Sequence, residues 1–395
     1  MKKLVLAYSG GLDTSYCAKY LSQEENFEVH AVSVNTGGFS EEEIRAIGEK
    51  ALTMGVTSYT NIDAVSSFYQ KVVKYLIFGN VLKNSTYPLS VSAERIVQAL
   101  EIIEYARKVG AGYVAHGSTG AGNDQVRFDL IFQILAPEIE IITPIRDKKL
   151  TRQEEIDYLK ANGVDMPWEK AKYSINKGLW GTSVGGEETL TSAKGLPETA
   201  YPSQLQEMEP LNISLSFTKG ELSAINGEED TPEQNIVKLE RIASKYAIGR
   251  DIHVGDTIIG IKGRVGFEAA APGIIIKAHH LLEKHTLSKW QLQHKESLAN
   301  WYGMHLHEGQ YLEPVMRDFE AFLQSSQSQV TGDVFVTLYP YRFVLNGIES
   351  PFDMMDSGFG KYGEENKAWT AEDAKGFIKI SSNAGKIYQY KKQKA

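Results

Sequence analysis

Apolar positions in the first third of the chain come in short runs and helical stripes that alternate. Residues 3–8, Lys-Leu-Val-Leu-Ala-Tyr, have the length and content of a buried strand, and the run breaks at Ser9-Gly10-Gly11. Cys17, Tyr20 and Leu21 then fall on one face of a helix. Residues 28–34 and 57–62 predict two more strands. Between them Ser40-x-x-Glu43 forms a capping box for a helix striped by Ile44, Ile47, Ala51 and Met54. Residues 92–109 predict a helix with Ser92 at the N-cap, Ile96, Leu100 and Ile103 inward, and Gly110 at its end. Strands are expected at 113–115 and 139–142, and Thr151-x-x-Glu154 caps a further helix. Such alternation implies βαβ units, hence a doubly wound, mostly parallel α/β sheet whose ligands sit at the carboxyl ends of its strands.

From about residue 165 the alternation stops. Residues 167–202, rich in Gly, Ser, Thr and Lys, read as irregular binding-type loop. A hairpin is expected over 211–227, turning at Lys219-Gly220. Thr231-Pro232-x-Gln234 opens a helix carrying Ile236, Leu239, Ile242 and Tyr246, which ends at Gly249. Strands are expected at 257–262 and 274–277, helices from there to about 324, and strands at 334–338 and 341–345. This pattern predicts a mixed α+β domain. After about 350 the chain is polar and rich in Gly and Lys, a tail expected to pack on another subunit or to be partly mobile. The expected division is 1–165, 166–350 and 351–395.

Composition narrows the function. The 395 residues carry a net charge of −8, which argues against a general nucleic-acid surface. Cys17 is the single cysteine, so neither an intrachain disulfide nor a cysteine-rich zinc site can form. No stretch approaches the roughly 18 apolar residues of a membrane span, and the opening apolar run is too short for a signal peptide. The expected location is the cytoplasm.

The break after the first strand carries chemistry. A strand turning through Gly10 and Gly11 into a helix leaves backbone N–H groups at the positive end of a helix dipole. Ser9, Thr14 and Ser15 add hydroxyls, so the turn suits a polyanion. Asp13 would repel phosphates unless a cation lies between, and Mg²⁺, which binds through one or two carboxylates plus phosphate oxygens, fits. No Walker motif occurs. S-G-G-x-D-[ST]-S resembles instead the PP-loop of ATP pyrophosphatases, which cleave ATP to AMP and pyrophosphate.

A second polar loop, His116-Gly117-Ser118-Thr119-Gly120-Ala121-Gly122-Asn123-Asp124-Gln125-Val126-Arg127, follows the strand at 113–115 on the same sheet end. Its glycines admit a ligand close to the backbone, and Thr119, Asn123, Asp124 and Arg127 can address carboxylates and amines. Read alone, it could equally be a long turn before a helix.

The two loops together resemble the argininosuccinate synthase family, in which A-Y-S-G-G-L-D-T-S and H-G-x-T-G-x-G-N-D-Q-x-R-F recur at this spacing. The resemblance implies that Ala7, Tyr8, Ser9, Gly10, Gly11, Leu12, Asp13, Thr14 and Ser15 hold ATP phosphates, with Val34 and Gly117 near the adenosine. It implies that Thr119, Asn123 and Asp124 hold aspartate. Tyr87, Ser92, Asn123, Arg127, Ser174 and Ser183 would line a citrulline site. Asp13 and Asp124 would be the catalytic carboxylates, ATP a substrate, and Mg²⁺ carried with ATP, with Asp13 the residue to meet it. The family's second domain is mixed α+β, and its C-terminal segment wraps neighbours in a homotetramer.

The sequence departs from that pattern at the acceptor end. Argininosuccinate synthases usually carry a glutamate and, twelve residues on, a tyrosine, where this chain has Gly255 and Phe267. Ala121 also replaces a usual lysine. Either another acid such as Asp256 reaches in, or the acceptor lacks an α-ammonium because its nitrogen carries an acetyl or succinyl group.

Other signals carry less. Gly358-x-Gly360-x-x-Gly363 follows no strand and reads as a tail turn. His279, His280, His285, His305 and His307 cluster without a carboxylate at metal spacing. The competing readings are another PP-loop ligase, a tRNA thiolase, and an ATP-binding regulator without catalysis. A thiolase would need paired cysteines and a basic surface; Asp13 and Asp124 argue against loss of catalysis.

Overall fold

The computed structural model describes residues 2–164, 173–356, 358 and 368–394. The expected boundary at 165/166, the first part of the 167–202 stretch and most of the 358–363 motif lie outside them. The chain divides into two compact units, Met1–Phe352 and Asp353–Ala395. Among the described residues no helix is long and apolar enough to cross a membrane.

Strand β1 (Lys2–Ala7) is central to a five-stranded sheet, and its Leu4, Val5 and Leu6 are fully buried. With β2 (Phe27–Asn35), β3 (Ser58–Asp63), β4 (Tyr113–Ala115) and β5 (Glu140–Ile142) it forms the order β3-β2-β1-β4-β5, every pairing parallel. The order reverses between β1 and β4, so the loops after these two strands flank the crevice in which doubly wound sheets bind ligands. Both motif loops are there.

The helices are α1 (Leu12–Gln23), α2 (Glu41–Thr53), α3 (Val65–Phe68), α4 (Lys74–Phe78), α5 (Ser90–Val109), α6 (Asp124–Leu135), α7 (Pro144–Lys148) and α8 (Arg152–Ala161). Both capping boxes form as expected, Ser40 with Glu43 and Thr151 with Glu154. Periodicity gives no element to residues 65–78, yet α3 runs through a π-helical turn, Tyr69–Val73, into α4. Phe68, Tyr69, Val72, Val73, Leu76, Ile77 and Phe78 are all buried, and a helix apolar on several faces shows no stripe. Helix α5 starts at Ser90 behind Leu89 in a left-handed conformation, so Ser92 lies in the first turn, not at the N-cap.

In the second half two antiparallel hairpin systems replace the parallel sheet. One sheet has the order β10-β9-β8-β13-β14, built from β8 (Leu211–Thr218), β9 (Glu221–Ile225), β10 (Glu228–Glu229), β13 (Gly332–Tyr339) and β14 (Arg342–Glu349). The expected hairpin forms, with φ of +50° at Lys219 and +83° at Gly220, as its tight turn requires. The other sheet, β11-β12-β7-β6, joins β6 (Ser174–Gly178), β7 (Gly181–Gly185), β11 (Arg250–Asp256) and β12 (Lys262–Glu268). Three expectations fail here. Residues 174–185 form a hairpin rather than irregular loop, because β7 pairs with β12 far along the chain. Residues 257–262 are mostly the turn between β11 and β12, closed by Thr257 N–H to the Ile261 carbonyl at 2.8 Å. Residues 274–277 lie inside helix α10 (Ala270–Thr286), where full burial of Ile274 and Ile275 outweighs their strand preference. Helix α9 (Pro232–Ala243) packs on β9 and α10, while α11 (Lys289–His307) and α12 (Val315–Ser326) pack on each other and on α5 and α4.

The second unit contains α13 (Ala371–Ser381) and α14 (Asn383–Lys392), neither with a buried residue. Phe377, Ile378, Ile380, Ile387, Tyr388 and Tyr390 are all more than half exposed on them.

Candidate active site

The loop after β1 is shaped by its own hydroxyls. Ser9 Oγ and Thr14 Oγ1 lie 3.2 Å apart, Gly11 N–H donates to Ser9 Oγ at 3.4 Å, and Lys50 Nζ holds the Gly10 carbonyl at 2.6 Å. Gly10 has a φ of +75°, and a Cβ there would come 3.2 Å from Ile47. No side chain caps α1, and Ser15 N–H is the first to bond back, to the Gly11 carbonyl at 3.0 Å. The N–H groups of Leu12, Asp13 and Thr14 therefore have no helical partner, the arrangement that suits an anion at a helix start. The Ser15 hydroxyl is fully buried 3.4 Å from Tyr8 OH, so with its N–H donated to the Gly11 carbonyl this residue closes the turn rather than facing a ligand. Val34 stands near the carboxyl end of β2, and Ser33 Oγ donates to the Tyr8 carbonyl at 2.6 Å.

Asp13 lies within hydrogen-bond reach of Glu155 on α8. Burial, then the Asp13 charge, pushes the Glu155 carboxyl up to about 8. Among the described residues Glu155 Oε2 is buried without a partner. Two carboxyls facing each other, one with an unsatisfied oxygen, are the donor set a hard divalent cation takes between protein and phosphate.

The loop after β4 is held from behind. His116 Nε2 meets Asp129 Oδ1 at 2.8 Å, Arg146 Nη1 donates to Asp129 Oδ2 at 2.7 Å, and Gln125 Nε2 donates to the Gly120 carbonyl at 2.6 Å. Gly117 packs on Asp13, which brings the two loops into direct contact. Thr119 is exposed. The Asn123 side-chain carbonyl accepts Ile258 N–H at 2.9 Å, tying the β11–β12 turn to this loop.

At the start of α6 Asp124 takes Arg95 Nε on one oxygen and Arg127 Nη1 on the other, both at 2.9 Å, and remains about a third exposed. Burial works hardest against its charge, but Arg95 and then Arg127 hold the carboxyl below its ordinary range. Arg127, itself 3% exposed, also donates to Ser92 Oγ at 3.0 Å and to the His307 carbonyl at 2.9 Å. Tyr87 OH lies 3.2 Å from Ser90 Oγ, and its ring is 5.3 Å from His253 and 5.4 Å from Phe267. Ser183 is buried on β7, 3.5 Å from Asn176 Nδ2, and Asn176 accepts from Arg95 at 3.4 Å. Ser174 is exposed on the edge strand β6, and among the described residues its hydroxyl makes no bond to this network.

Sequence reasoning missed Arg95, Glu155, Lys83, His253 and His307. Arg95 sits three positions after Ser92 on one helix face, a spacing that could have paired them. Glu155 adjoins the capping Glu154 and hides behind it. The clustered histidines separate in space: His279 is buried between Asn80 at 2.7 Å and Gln327 at 2.8 Å, while His307 adjoins Arg127.

A family model described as the arginosuccinate synthase N-terminal HUP domain matches residues 3–165, and one for the arginosuccinate synthase C-terminal domain matches residues 173–388. The argininosuccinate synthase of Methanocaldococcus jannaschii is 36% identical over 393 residues, 99% of this chain and 98% of the relative. That of Xylella fastidiosa is 34% identical over 401 residues, covering 98% of each chain, and that of Sulfolobus acidocaldarius 33% over 381, covering 96% of each. With two family models spanning nearly the whole chain and relatives aligned end to end, this chain belongs to the argininosuccinate synthase family.

Proposed function

We propose that the chain joins citrulline to aspartate, forming argininosuccinate while ATP is cleaved to AMP and pyrophosphate, as a step of arginine biosynthesis. The observation that carries this reading is the contact of Gly117 with Asp13, which sets an anion-binding helix start beside the Asp124–Arg127 network at one switch point. Residues 7–15 hold the triphosphate, with Val34 and Gly117 beside the adenosine. The ureido oxygen of citrulline attacks the α-phosphorus and pyrophosphate leaves. The aspartate amine then attacks the adenylated carbon and displaces AMP. Neither step needs a protein nucleophile; placement and charge stabilisation supply the acceleration.

Thr119, Asn123 and Asp124 receive aspartate, whose amine meets the exposed third of Asp124. Tyr87, Ser92, Asn123, Arg127, Ser174 and Ser183 surround the acceptor; Arg127 acts with most of its donors already committed, which fixes its direction. Asp13, with Glu155, would hold Mg²⁺, which supplies charge neutralisation for the leaving pyrophosphate. Residues 1–165 serve the nucleotide and supply most of the amino-acid contacts, and 166–350 complete the amino-acid site through Ser174 and Ser183. The apolar side chains exposed on α13 and α14 support a role for the tail in a homotetramer. The proposed location is the cytoplasm.

The test is product analysis. AMP and pyrophosphate should form only when ATP, citrulline or its acylated forms, and aspartate are all present, and Asp13→Ala should abolish turnover. ADP as the stoichiometric product would exclude the reading, and a normal kcat in the variant would remove Asp13 from it.

A further inference from the structure

The acceptor end of the site, beyond Tyr87 and Arg127, brings His253, His307 and Lys83 together, with Glu94 acting on Tyr87 and Glu308 and Asp256 acting on Lys83. His253 is 6% exposed and stacks on Tyr87, and among the described residues its Nδ1 has no hydrogen-bond partner. Gly255 is bare for a reason visible in the structure: a Cβ there would stand 2.6 Å from His253 Nε2 and 3.3 Å from Asn84 Nδ2. The imidazole occupies the space that any side chain at 255 would need. Where a carboxylate could have met an ammonium, this chain presents a ring nitrogen.

The neighbours strengthen the trend. Lys83 is half-buried, and among the described residues its ammonium makes no hydrogen bond or ion pair. His307 is 7% exposed with Nε2 unbonded, although the Asp256 backbone favours its protonated form. Burial, then Arg127 and Lys83, pushes that imidazole down to about 3, and burial, then Lys83, lowers His253. The Lys83 charge thus reaches both imidazoles, whose protonated forms are disfavoured, so that each ring offers neutral nitrogens. The carboxylates acting on Lys83 are Glu308 and Asp256, and Asp256 is paired with Lys262 at 2.6 Å on the surface. Buried nitrogen groups without partners are costly unless a ligand completes them.

We propose that this pocket takes an anion and that the acceptor is a citrulline whose α-nitrogen is acylated by a short dicarboxylic acid such as succinic acid. The amide removes the α-ammonium, for which the pocket has no acid at position 255. The free carboxylate of the acyl chain meets Lys83 and His253. Phe267, buried at 4% exposure against Tyr87, gives an apolar wall to the methylenes between. The ureido end and both bond-forming steps are unchanged, so the inference rests on the proposed ligase reading and refines its substrate.

Steady-state pyrophosphate release by the full chain, with saturating ATP and aspartate, is measured for citrulline, N-acetylcitrulline and N-succinylcitrulline. The succinylated acceptor should have the highest kcat/KM, by about tenfold or more, the size expected of a charge-assisted bond to a partly buried cation. Lys83→Met and His253→Asn should collapse that ratio, and Lys83→Arg should keep most of it, each variant being checked for an unchanged Tm. A highest kcat/KM for plain citrulline overturns the inference while leaving the ligase reading intact; so does a Glu308→Gln variant that loses citrulline selectively. Equal rates for the acetyl and succinyl forms overturn the anion subsite. Absence of AMP with every acceptor overturns the ligase reading itself.

Discussion

Gly117 lies so close to Asp13 that a Cβ on the glycine would stand 3.2 Å from both the Asp13 carbonyl carbon and its Cβ. The loops after β1 and β4 are therefore one surface. Gly117→Val must push the first turn of α1 away from the position in which its N–H groups converge. Overpacking of this kind typically costs about 1–3 kcal/mol, so the KM for ATP should rise roughly tenfold or more. The KM for aspartate should change less. An unchanged KM for ATP would separate this contact from nucleotide binding.

Asp124 joins Arg95 to Arg127, and its removal has two separable effects. Asp124→Ala should raise the KM for aspartate far more than that for ATP. It also leaves two guanidinium groups without their shared acceptor. Because the carboxylate is about a third exposed, the expected loss of stability is modest, about 1–3 kcal/mol, read by urea denaturation. Arg95→Met should reproduce part of the stability loss. A fall in stability with no change in the aspartate KM would make Asp124 a positioning residue alone.

Glu155 supplies a pH signature. Its ordinary carboxyl value is 4.5, and burial followed by Asp13 raises it to about 8 in the folded chain. A raised folded value means that the native state holds the proton longer than the unfolded state. The stability it contributes is full below pH 4.5 and is lost as pH rises through about 8. Thermal melts of the ligand-free protein should show the wild type losing stability relative to Glu155→Gln over that window. Parallel curves for the two proteins would show that Glu155 is not protonated in the fold.

Away from the site, Lys295 and Glu283 form a fully buried ion pair at 2.8 Å, and Lys295 Nζ also donates to the Phe78 carbonyl at 2.8 Å. Lys295→Met leaves Glu283 charged and buried with only the neutral donors Asn80 and Gln327, beside His279, which burial pushes down to about 4. Breaking one side of such a pair costs about 3–5 kcal/mol, and adding Glu283→Gln should recover much of it. Chemical denaturation of the single and double variants checks this; a single variant within 1 kcal/mol of wild type, on the order of a surface change, would contradict it.

The sequence by itself determined whatever depends on residues within a few positions of one another. The boxes at Ser40 with Glu43 and Thr151 with Glu154, the strands around Val5 and Val32, and the turn at Lys219-Gly220 are local hydrogen bonds and backbone preferences. The anion-binding start of α1 is of the same kind, since Gly10, Gly11 and the free N–H groups lie within one turn. Tertiary structure decided what depends on partners far along the chain. Ile274 and Ile275 join a helix because burial in α10 is worth more than their strand preference. Ser174–Gly178 becomes a strand only through β7, which β12 pairs in turn. Ser92 turns inward to Arg127, 35 positions away, and His253 reaches Tyr87 across a larger gap. Such contacts have no period and no fixed spacing, because the chain brings them together only when its sheets and helices bury a common core. The groups that bind and react are mostly of this second kind.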